Sequence, residues 1–240
     1  MADCSFRDLC LDAVDAGVLS AFWATVLDVP REDLGDDAWV LRPGASGGTT
    51  VWIDPVPEPR LAKTRVHLDL RLPSADPAAV LAAGATLVRE PQGDIHWWVL
   101  ADPDGNEFCV MPPAPPEWNA PAVAVPTPFE MVVDAADAGA QARWWAERMG
   151  GTASTREGAP FWWIEGAAGF PWPYWVFVEV PEPRTAKNRM HWDVDLAPGA
   201  AGPQALVDAG ALVLREPDDE IRWWVMADPE GNEFCAFVAE

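Results

Sequence analysis

The stretch HWWVLADPDGNEFC occupies residues 96–109, and the stretch RWWVMADPEGNEFC occupies residues 222–235. Eleven of the fourteen positions are identical between them. A short functional motif does not recur by chance at this length, so the match indicates an internal repeat. We therefore expect the whole chain to be a tandem duplication.

The repeated stretch has the composition of a β-hairpin. Apolar and aromatic residues at 97–101 favour a strand, and Asp-Pro-Asp-Gly-Asn at 102–106 favours a turn. Side chains then alternate, so Glu107 and Cys109 share one face of the second strand and Phe108 lies on the other. We predict two strands joined by a five-residue connection, once in each half.

The length of the chain agrees with a duplication. A chain of 240 residues is expected to form two domains of about 120 residues, and the repeat offset is of that size. A Pro-rich segment lies between the halves and has the composition of a semi-rigid linker. We predict a first domain at 1–112, a linker at 113–127 and a second domain at 128–240.

The first quarter of the chain predicts a β-α-β-β-β unit. Asp8, Cys10 and Asp12 share one face of the first predicted strand. Asp15 is expected to cap the helix that follows and ends near Leu27. The predicted strands lie at 5–14, 29–33, 38–42 and 49–54.

A second unit of the same kind follows. Residues 65–72, RVHLDLRL, alternate between apolar and polar side chains. Asp76 and Pro77 are expected to begin a helix as its N-cap and first residue, and Gly84 is expected to end it. Further strands are predicted at 85–89, 95–101 and 106–111. Because the second half repeats this order, the fold class is α+β with four such modules and curved mixed sheets.

Charge and cysteine content limit the partners and the compartment. A net charge of -22 argues against nucleic acid and against anionic membrane surfaces. The sequence has no apolar run near eighteen residues and no basic, apolar leader, so we expect neither a membrane span nor a secretory signal. The four cysteines have no CxxC spacing, which suits reduced thiols. We expect a cytoplasmic protein.

Several motifs together resemble the vicinal oxygen chelate superfamily. They are the strands KTRVHLDL and KNRMHWDV, the strands after DPDGNEFC and DPEGNEFC, and helices containing FW or WW. More narrowly, the chain resembles the glyoxalase-like branch related to glyoxalases and bleomycin-resistance proteins. The resemblance implies tandem glyoxalase-like domains, each made of two βαβββ modules. It is specific to a fold and less so to an activity.

The resemblance also implies a ligand set for metal-using members. The first-strand position falls on Asp8 and Glu130, where the family usually has His or Gln. The fifth-strand histidine matches His67 and His191, and the fourth-strand position falls near Asp54 and Glu179. At the last position, where the family has a glutamate, this chain has Cys109 and Cys235.

The missing glutamate argues against a complete metal site. One imidazole with one or two carboxylates would hold a divalent ion weakly, so we favour no cofactor. If a divalent metal binds (Zn, Ni, Mn or Fe), the resemblance implies Asp8 with His191, and Glu130 with His67 and Glu179. Two alternatives stay open: the cysteines either ligate zinc as thiolates or are small buried apolar residues, and Glu107 and Glu233 replace the lost carboxylate or are solvated.

The ligand is expected to bind in clefts where the sheets curve. Tryptophans crowd the second half at 162, 163, 172 and 175, and they indicate either an aromatic-lined cleft or core packing. Acidic groups on the presumed cleft faces favour a neutral or cationic ligand, unless arginines pair with them. The candidate cleft residues are Asp8, Asp12, His67, Asp69, Cys109, Glu130, Asp134, His191, Asp193 and Cys235.

Two functions from different classes remain. The first is a metal-independent protein that binds or sequesters a small molecule, as in the bleomycin-resistance branch. The second is a lyase or isomerase of the glyoxalase type, acting on a small carbonyl compound. By analogy with the family's domain-swapped dimers, the sites would pair Asp8 with His191 and Glu130 with His67. We expect a monomer whose halves form a pseudo-dimer.

Overall fold

The computed structural model of the chain describes residues 2–43, 48–118 and 120–239. Within them the chain repeats one order of elements four times: a strand, a helix and three further strands. We call these units modules 1 to 4. The predicted α+β class with four βαβββ modules is confirmed.

The modules have these bounds. Module 1 contains β1 (Cys4–Ala13), α1 (Ala16–Leu27), β2 (Arg31–Gly35), β3 (Ala38–Leu41) and β4 (Val51–Pro55). Module 2 contains β5 (Val66–Arg71), α2 (Ala78–Ala82), β6 (Thr86–Arg89), β7 (Trp98–Ala101) and β8 (Glu107–Met111). Module 3 contains β9 (Thr127–Ala135), α3 (Ala138–Met149), β10 (Thr152–Thr155), β11 (Phe161–Glu165) and β12 (Tyr174–Glu179). Module 4 contains β13 (Met190–Leu196), α4 (Gln204–Asp208), β14 (Leu212–Arg215), β15 (Trp224–Ala227) and β16 (Glu233–Phe237).

Each sheet takes one module from each half. Sheet 1 has the order β14-β15-β16-β13-β1-β4-β3-β2, so it joins module 4 to module 1. Sheet 2 has the order β10-β11-β12-β9-β5-β8-β7-β6, so it joins module 3 to module 2. The joints are the antiparallel pairs β1–β13 and β5–β9. The two halves therefore exchange modules, and neither sheet is built by one half alone.

The core lies between the sheets, with α1 and α3 inside it. Trp145 of α3 packs against Trp175 of sheet 2 and against Trp192 of sheet 1. Phe22 of α1 packs against Phe108 of sheet 2. Because alternate strand residues point to opposite faces, the polar set of each strand lies on the other face of its sheet, away from this core.

A buried aspartate in each hairpin turn fixes a helix to the sheet. Asp102 Oδ2 accepts hydrogen bonds from Trp23 Nε1 at 3.3 Å and from Asn106 Nδ2 at 3.1 Å, and its Oδ1 accepts the backbone N–H of Asn106. In the second half, Asp228 accepts from Trp145 Nε1 at 3.2 Å. The five-residue connection at 102–106 is confirmed, and its aspartate is a buried anchor as well as a turn residue.

Helix boundaries follow the predicted capping with one difference. Asp15 accepts from the backbone N–H of Val18, as predicted for the N-cap of α1. The N-cap of α2 is Pro77 rather than Asp76, so that assignment was wrong by one residue. The Asp76 carboxylate still accepts the N–H of Ala78, because a short acidic side chain can cap from one position further out.

The sequence predicted no membrane-spanning segment, and the helices of the structure can be compared with that prediction. None of the helices in the described part of the chain has the length and apolar character needed to cross a bilayer.

Candidate functional site

The two joints between modules bring the predicted site residues together. In sheet 1, Cys10 of β1 lies opposite His191 of β13. In sheet 2, Val132 of β9 lies opposite His67 of β5. Residues paired across an antiparallel ladder share a face, so each histidine shares a face with residues of the other half. We call the polar face at β1–β13 cleft 1 and the polar face at β5–β9 cleft 2.

Cleft 2 is centred on an ion pair. His67 Nε2 lies 3.1 Å from Asp69 Oδ1 and 3.8 Å from Cys109 Sγ. Burial opposes protonation of the imidazole, but the adjacent Asp69 carboxylate outweighs it and raises the pKa of His67. The imidazole is therefore stabilised in its charged form.

A second carboxyl group lies beside this pair. Glu130 is the cross-strand partner of Asp69. Burial, and then the negative charge of Asp69, raise the pKa of Glu130 well above its ordinary range. Burial and Asp69 also raise the pKa of the Cys109 thiol, so the sulfur keeps its proton. Cleft 2 thus combines two neighbouring acidic side chains, one of which has a raised pKa, with an imidazole whose pKa is also raised.

Cleft 1 has the same frame with different chemistry. His191 Nε2 lies 3.7 Å from Cys235 Sγ and 3.8 Å from Asp193 Oδ1. Cys10 Sγ donates to Asp193 Oδ2 at 3.4 Å. Burial lowers the pKa of His191, against the opposing charge of Asp12. The two imidazoles are therefore shifted in opposite directions, toward the neutral form in cleft 1 and toward the charged form in cleft 2.

Burial also acts on the central carboxyl group of cleft 1. It raises the pKa of Asp193 to about 7, although the hydrogen bond from Cys10 opposes the shift. Asp193 Oδ1 is buried and has no hydrogen-bond partner among the described residues. Such an atom is costly unless something else satisfies it.

The other acidic residues predicted to line the clefts form ion pairs or accept hydrogen bonds. Asp8 lies 3.4 Å from Arg7 Nε and accepts from Trp52 Nε1 at 3.2 Å. Lys187 Nζ lies 2.6 Å from Asp12 Oδ2. Likewise, Lys63 Nζ lies 2.8 Å from Asp134 Oδ2. These carboxylates have partners already, and each lysine comes from the other half of the chain.

The glutamates at the start of the last hairpin strands are also engaged. Glu107 accepts from Arg60 Nη1 at 3.0 Å and from the backbone N–H of Thr64 at 3.1 Å. Burial opposes ionisation of Glu107, but these contacts outweigh it and lower its pKa. Glu233 is paired with Arg184 in the same way. Neither carboxylate is solvated and free, as one alternative had it, because an arginine from the preceding loop reaches each.

The two residues predicted for the fourth-strand position, Asp54 and Glu179, do not occupy equivalent places in the two sheets. Asp54 of β4 pairs with Asp12 and lies at the edge of cleft 1. Glu179 of β12 pairs with Ala135, whereas Asp134 pairs with Val178. The residue equivalent to Asp54 is therefore Val178, and the structure does not bring Glu179 into cleft 2.

The metal site implied by the resemblance can be tested on this geometry. An oxygen-rich site would need Asp8 or Glu130 to be free, a carboxylate at the fourth strand and another at the last strand. Asp8 is bound to Arg7, Val178 replaces an acid in cleft 2, and protonated thiols take the last position in both clefts. The residues present do not fit a hard divalent ion in that arrangement.

Sequence reasoning missed the role of Cys10. It was placed on the polar face of β1, yet it was not a candidate, although it donates to Asp193 and is 6% exposed. Aligning the halves would have marked it, since the residue 122 positions later is Val132. Arg60 and Arg184 were also missed, although both end the repeated segment VPEPR at 56–60 and 180–184. Arg7 could not be found this way, because its contact with Asp195 depends on how the modules pair.

The tryptophans divide between the core and the clefts. Trp175 is fully buried and stacks on Phe170, so it belongs to the core. Trp162 lies under the guanidinium of Arg143, on the helix side of its sheet. Trp163 pairs with Val176 on the polar face of sheet 2. The crowding of tryptophan in the second half is therefore mainly core packing, with Trp163 bordering cleft 2.

Comparison with known families agrees with this architecture. The sequence profile described as "Glyoxalase-like domain" matches residues 8–111 and again residues 130–237. The chain belongs to the glyoxalase-like domain family, within the vicinal oxygen chelate superfamily. No curated protein matches the chain significantly.

Solved structures share the fold at low sequence identity. Glyoxalase I from Zea mays superposes with a TM-score of 0.66 at 12% identity, covering 98% of this chain and 92% of that one. A putative dioxygenase from Bacillus subtilis gives 0.62 at 13% identity, covering 98% and 86%. The cppA protein from Streptococcus pneumoniae gives 0.52 at 10% identity, covering 98% and 99%. At such identities the similarity establishes the fold alone.

Proposed function

We propose that the protein binds a small molecule in cleft 2 without the family's oxygen-ligated metal. The observation that carries the proposal is the replacement of the last-strand carboxylate by a cysteine in both halves, Cys109 and Cys235. The hairpin glutamates do not restore the carboxylate, since arginines hold them.

The charge and lining of cleft 2 define the class of ligand. Asp69 is 4% exposed and lies opposite Glu130 on the neighbouring strand. Trp163 and Tyr174 border the same face, and both are partly exposed. A planar aromatic or heteroaromatic ligand that carries an amino or amidinium group would stack on the rings and donate to the acids. Glycopeptide antibiotics of the bleomycin class contain both groups, so sequestration of such a compound is the finer form of this proposal.

The proposal also includes the oligomeric state, the domain bounds and the location of the protein. Each sheet already contains one module from each half, so the chain supplies internally what two copies supply in a swapped dimer. We therefore propose a monomer, with domains at 1–112 and 128–240 that exchange modules across the linker. The four cysteines are all unpaired, which supports a cytoplasmic location.

Tryptophan fluorescence provides the direct test of ligand binding. We expect quenching by planar cationic compounds and by a glycopeptide antibiotic, with weaker quenching by planar anions. Asp69→Asn should weaken binding by about tenfold or more, because a charge-assisted hydrogen bond contributes about 1.5–3 kcal/mol. Asp54→Asn, which removes an acid from the edge of cleft 1, is the matched control and should leave the affinity unchanged. Absence of quenching across the panel contradicts the proposal.

One observation favours a second candidate, a lyase or isomerase acting beside a carbonyl group. Cleft 2 places Asp69 next to Glu130, a carboxyl group with a raised pKa, at a cross-strand pair. Asp69 would accept a proton from the carbon beside the carbonyl, while Glu130 would donate a hydrogen bond to the carbonyl oxygen. His67, whose Nε2 lies 3.1 Å from Asp69 Oδ1, would hold Asp69 in position.

Solvent exchange separates the two candidates. For the enzyme, the protein should catalyse deuterium incorporation next to the carbonyl of small α-hydroxy or α-keto compounds in D2O, as followed by NMR. Asp69→Asn should abolish the exchange. For the binding protein, exchange should stay at the uncatalysed rate in the presence of compounds that quench fluorescence.

A further inference from the structure

Cleft 1 contains a group of soft ligands that the family does not use. Cys10 Sγ, His191 Nε2 or Nδ1 and one Asp193 oxygen lie within 4.8 Å of one another. Cys235 Sγ lies beside them, 3.7 Å from His191 Nε2. Of these four, only His191 and Cys235 occupy positions that the resemblance assigns to a metal, and Cys235 replaces a glutamate there.

Three of the distances between these side chains lie in the range of the edges of a zinc tetrahedron. Zn–S bonds of about 2.3 Å and Zn–N or Zn–O bonds of about 2.0–2.2 Å place neighbouring ligand atoms about 3.3–3.8 Å apart. The observed separations are 3.4 Å from Cys10 Sγ to Asp193 Oδ2, 3.7 Å from Cys235 Sγ to His191 Nε2 and 3.8 Å from His191 Nε2 to Asp193 Oδ1. The last separation is too long for a hydrogen bond but suits two ligands of one ion.

An unpartnered buried atom points to the same place. Asp193 is 4% exposed, and its Oδ1 has no hydrogen-bond partner among the described residues. A buried carboxylate oxygen without a hydrogen-bond partner needs a cation or a proton to satisfy it. A zinc ion between Asp193, His191 and the thiols would satisfy it.

We propose that cleft 1 binds one zinc ion through Cys10, His191 and Asp193, with Cys235 as the fourth ligand. Two thiols, an imidazole and a carboxylate form a four-coordinate set that favours zinc over harder ions such as Mg²⁺ or Mn²⁺. On binding, each thiol loses its proton to solvent and becomes a thiolate, so metal uptake releases protons. With all four positions filled by protein, the site is structural rather than catalytic, and it would join module 1 to module 4.

Cleft 2 is the natural reference for this site. There Val132 stands in place of Cys10, so the equivalent group has only His67, Asp69 and Cys109. His67 Nε2 and Asp69 Oδ1 are also engaged with each other at 3.1 Å, which a metal would have to disrupt. We therefore expect cleft 1 to bind zinc far more tightly than cleft 2.

Metal stoichiometry measures this difference without relying on any activity. The chain, stripped with a chelator under reducing conditions, should take up one tightly bound zinc per molecule in competition with a chromophoric chelator. Cobalt in its place should give an intense sulfur-to-cobalt charge-transfer band in the near ultraviolet. Loss of one ligand should weaken binding at least about 100-fold, as the loss of outer-shell partners alone costs 10–100-fold.

Three variants make the measurement specific. Cys10→Val, which copies the residue of cleft 2, should lose the tight zinc and most of the cobalt band, and Cys10→Ser should do the same if the valine variant does not fold. Cys4→Ala removes a buried thiol that lies outside both clefts and should change neither. The proposal is overturned if the wild-type chain takes up no tight zinc, or if both Cys10 variants retain it.

Discussion

Cleft 1 and cleft 2 are copies of one arrangement whose charges have been rearranged. In cleft 1 the guanidinium of Arg7, from β1, lies 4.4 Å from the ring centroid of Phe237. In cleft 2 the guanidinium of Arg71, from β5, lies 4.1 Å from the ring centroid of Phe129. The equivalent strands β1 and β9 supply the cation in cleft 1 and the aromatic ring in cleft 2, whereas the other partners come from β16 and β5, which are not equivalent. Each cleft thus has a cation–π contact, but the two contacts are built differently.

The centres of the clefts differ in the same manner. Both have a histidine, an aspartate two residues later and a cysteine from the last strand. Cys10 in one cleft and Val132 in the other then decide whether a second thiol is present. The backbone is fixed by core packing on one face of each sheet, whereas the polar face tolerates substitution. The same duplicated backbone can therefore bind two ligands of different chemistry.

The core can be compared between the halves by removing equivalent side chains. Trp192 is fully buried, with its ring centroid 5.2 Å from that of Trp145 and 5.1 Å from that of Trp175, and its equivalent in the first half is Leu68. Trp192→Ala should lower the free energy of unfolding by about 4 kcal/mol, and Leu68→Ala by about 3 kcal/mol. Urea denaturation measures both. An equal or smaller loss at Trp192 would contradict the greater dependence of the second half on aromatic packing.

The next largest loss of stability is expected from substituting the aspartates of the hairpin turns. Asp228 accepts from Gln141 Nε2 at 2.8 Å and from Trp145 Nε1 at 3.2 Å, whereas Asp102 accepts from one helix side chain, Trp23. Asparagine at either position would turn an N–H group toward these donors and leave them unpaired. We expect a loss of about 3 kcal/mol for Asp228→Asn and about 2 kcal/mol for Asp102→Asn, measured by denaturation. A reversed order would show that the extra donor from Gln141 contributes nothing.

The pH dependence of stability isolates one of these aspartates. Burial raises the pKa of Asp102 to about 6, although hydrogen bonds from Asn106 and Trp23 oppose it, and its ordinary value is 3.8. The folded state therefore binds the proton more tightly, so this contribution is complete below pH 3.8 and is lost as the pH rises through about 6. Between pH 8 and pH 5 the stability of the wild-type chain should rise relative to Asp102→Asn by about 1 kcal/mol.

Equilibrium denaturation of both chains at the two pH values checks this sign. Asp137→Asn serves as a control, because Asp137 is an exposed helix cap. If the difference between wild type and Asp102→Asn shrinks toward pH 5, the aspartate is stabilised as an anion instead.

The ion pairs across the halves should give the smallest effect. Lys187 with Asp12 and Lys63 with Asp134 are equivalent pairs in which the lysines are more than half exposed. Lys187→Met and Lys63→Met should each cost about 1 kcal/mol or less, and the cost should fall in high salt. A loss in only one variant would indicate that the two joints are not equivalent.

Local chemistry explains which features could be predicted from the sequence. The hairpin at 102–106 and the N-cap at Asp15 depend on neighbouring residues, and both were predicted correctly. The contact between Cys10 and Asp193 spans 183 positions and exists only because the modules are exchanged, so alternation along one strand could not reveal it. Glu179 was misplaced because the two halves differ in length before β12. A shift of one residue there turns a side chain to the other face.

Exchanging the residues that distinguish the clefts is the most direct test of the central claim. In the double variant Cys10→Val with Val132→Cys, the second thiol moves from cleft 1 to cleft 2 while the rest of the frame is unchanged. We expect the tight zinc to leave cleft 1, so that adding His191→Ala no longer affects metal content, and any zinc that is retained should be lost with His67→Ala. Tight zinc that persists in the double variant and is still removed by His191→Ala would contradict the claim that these side chains set the chemistry of each cleft.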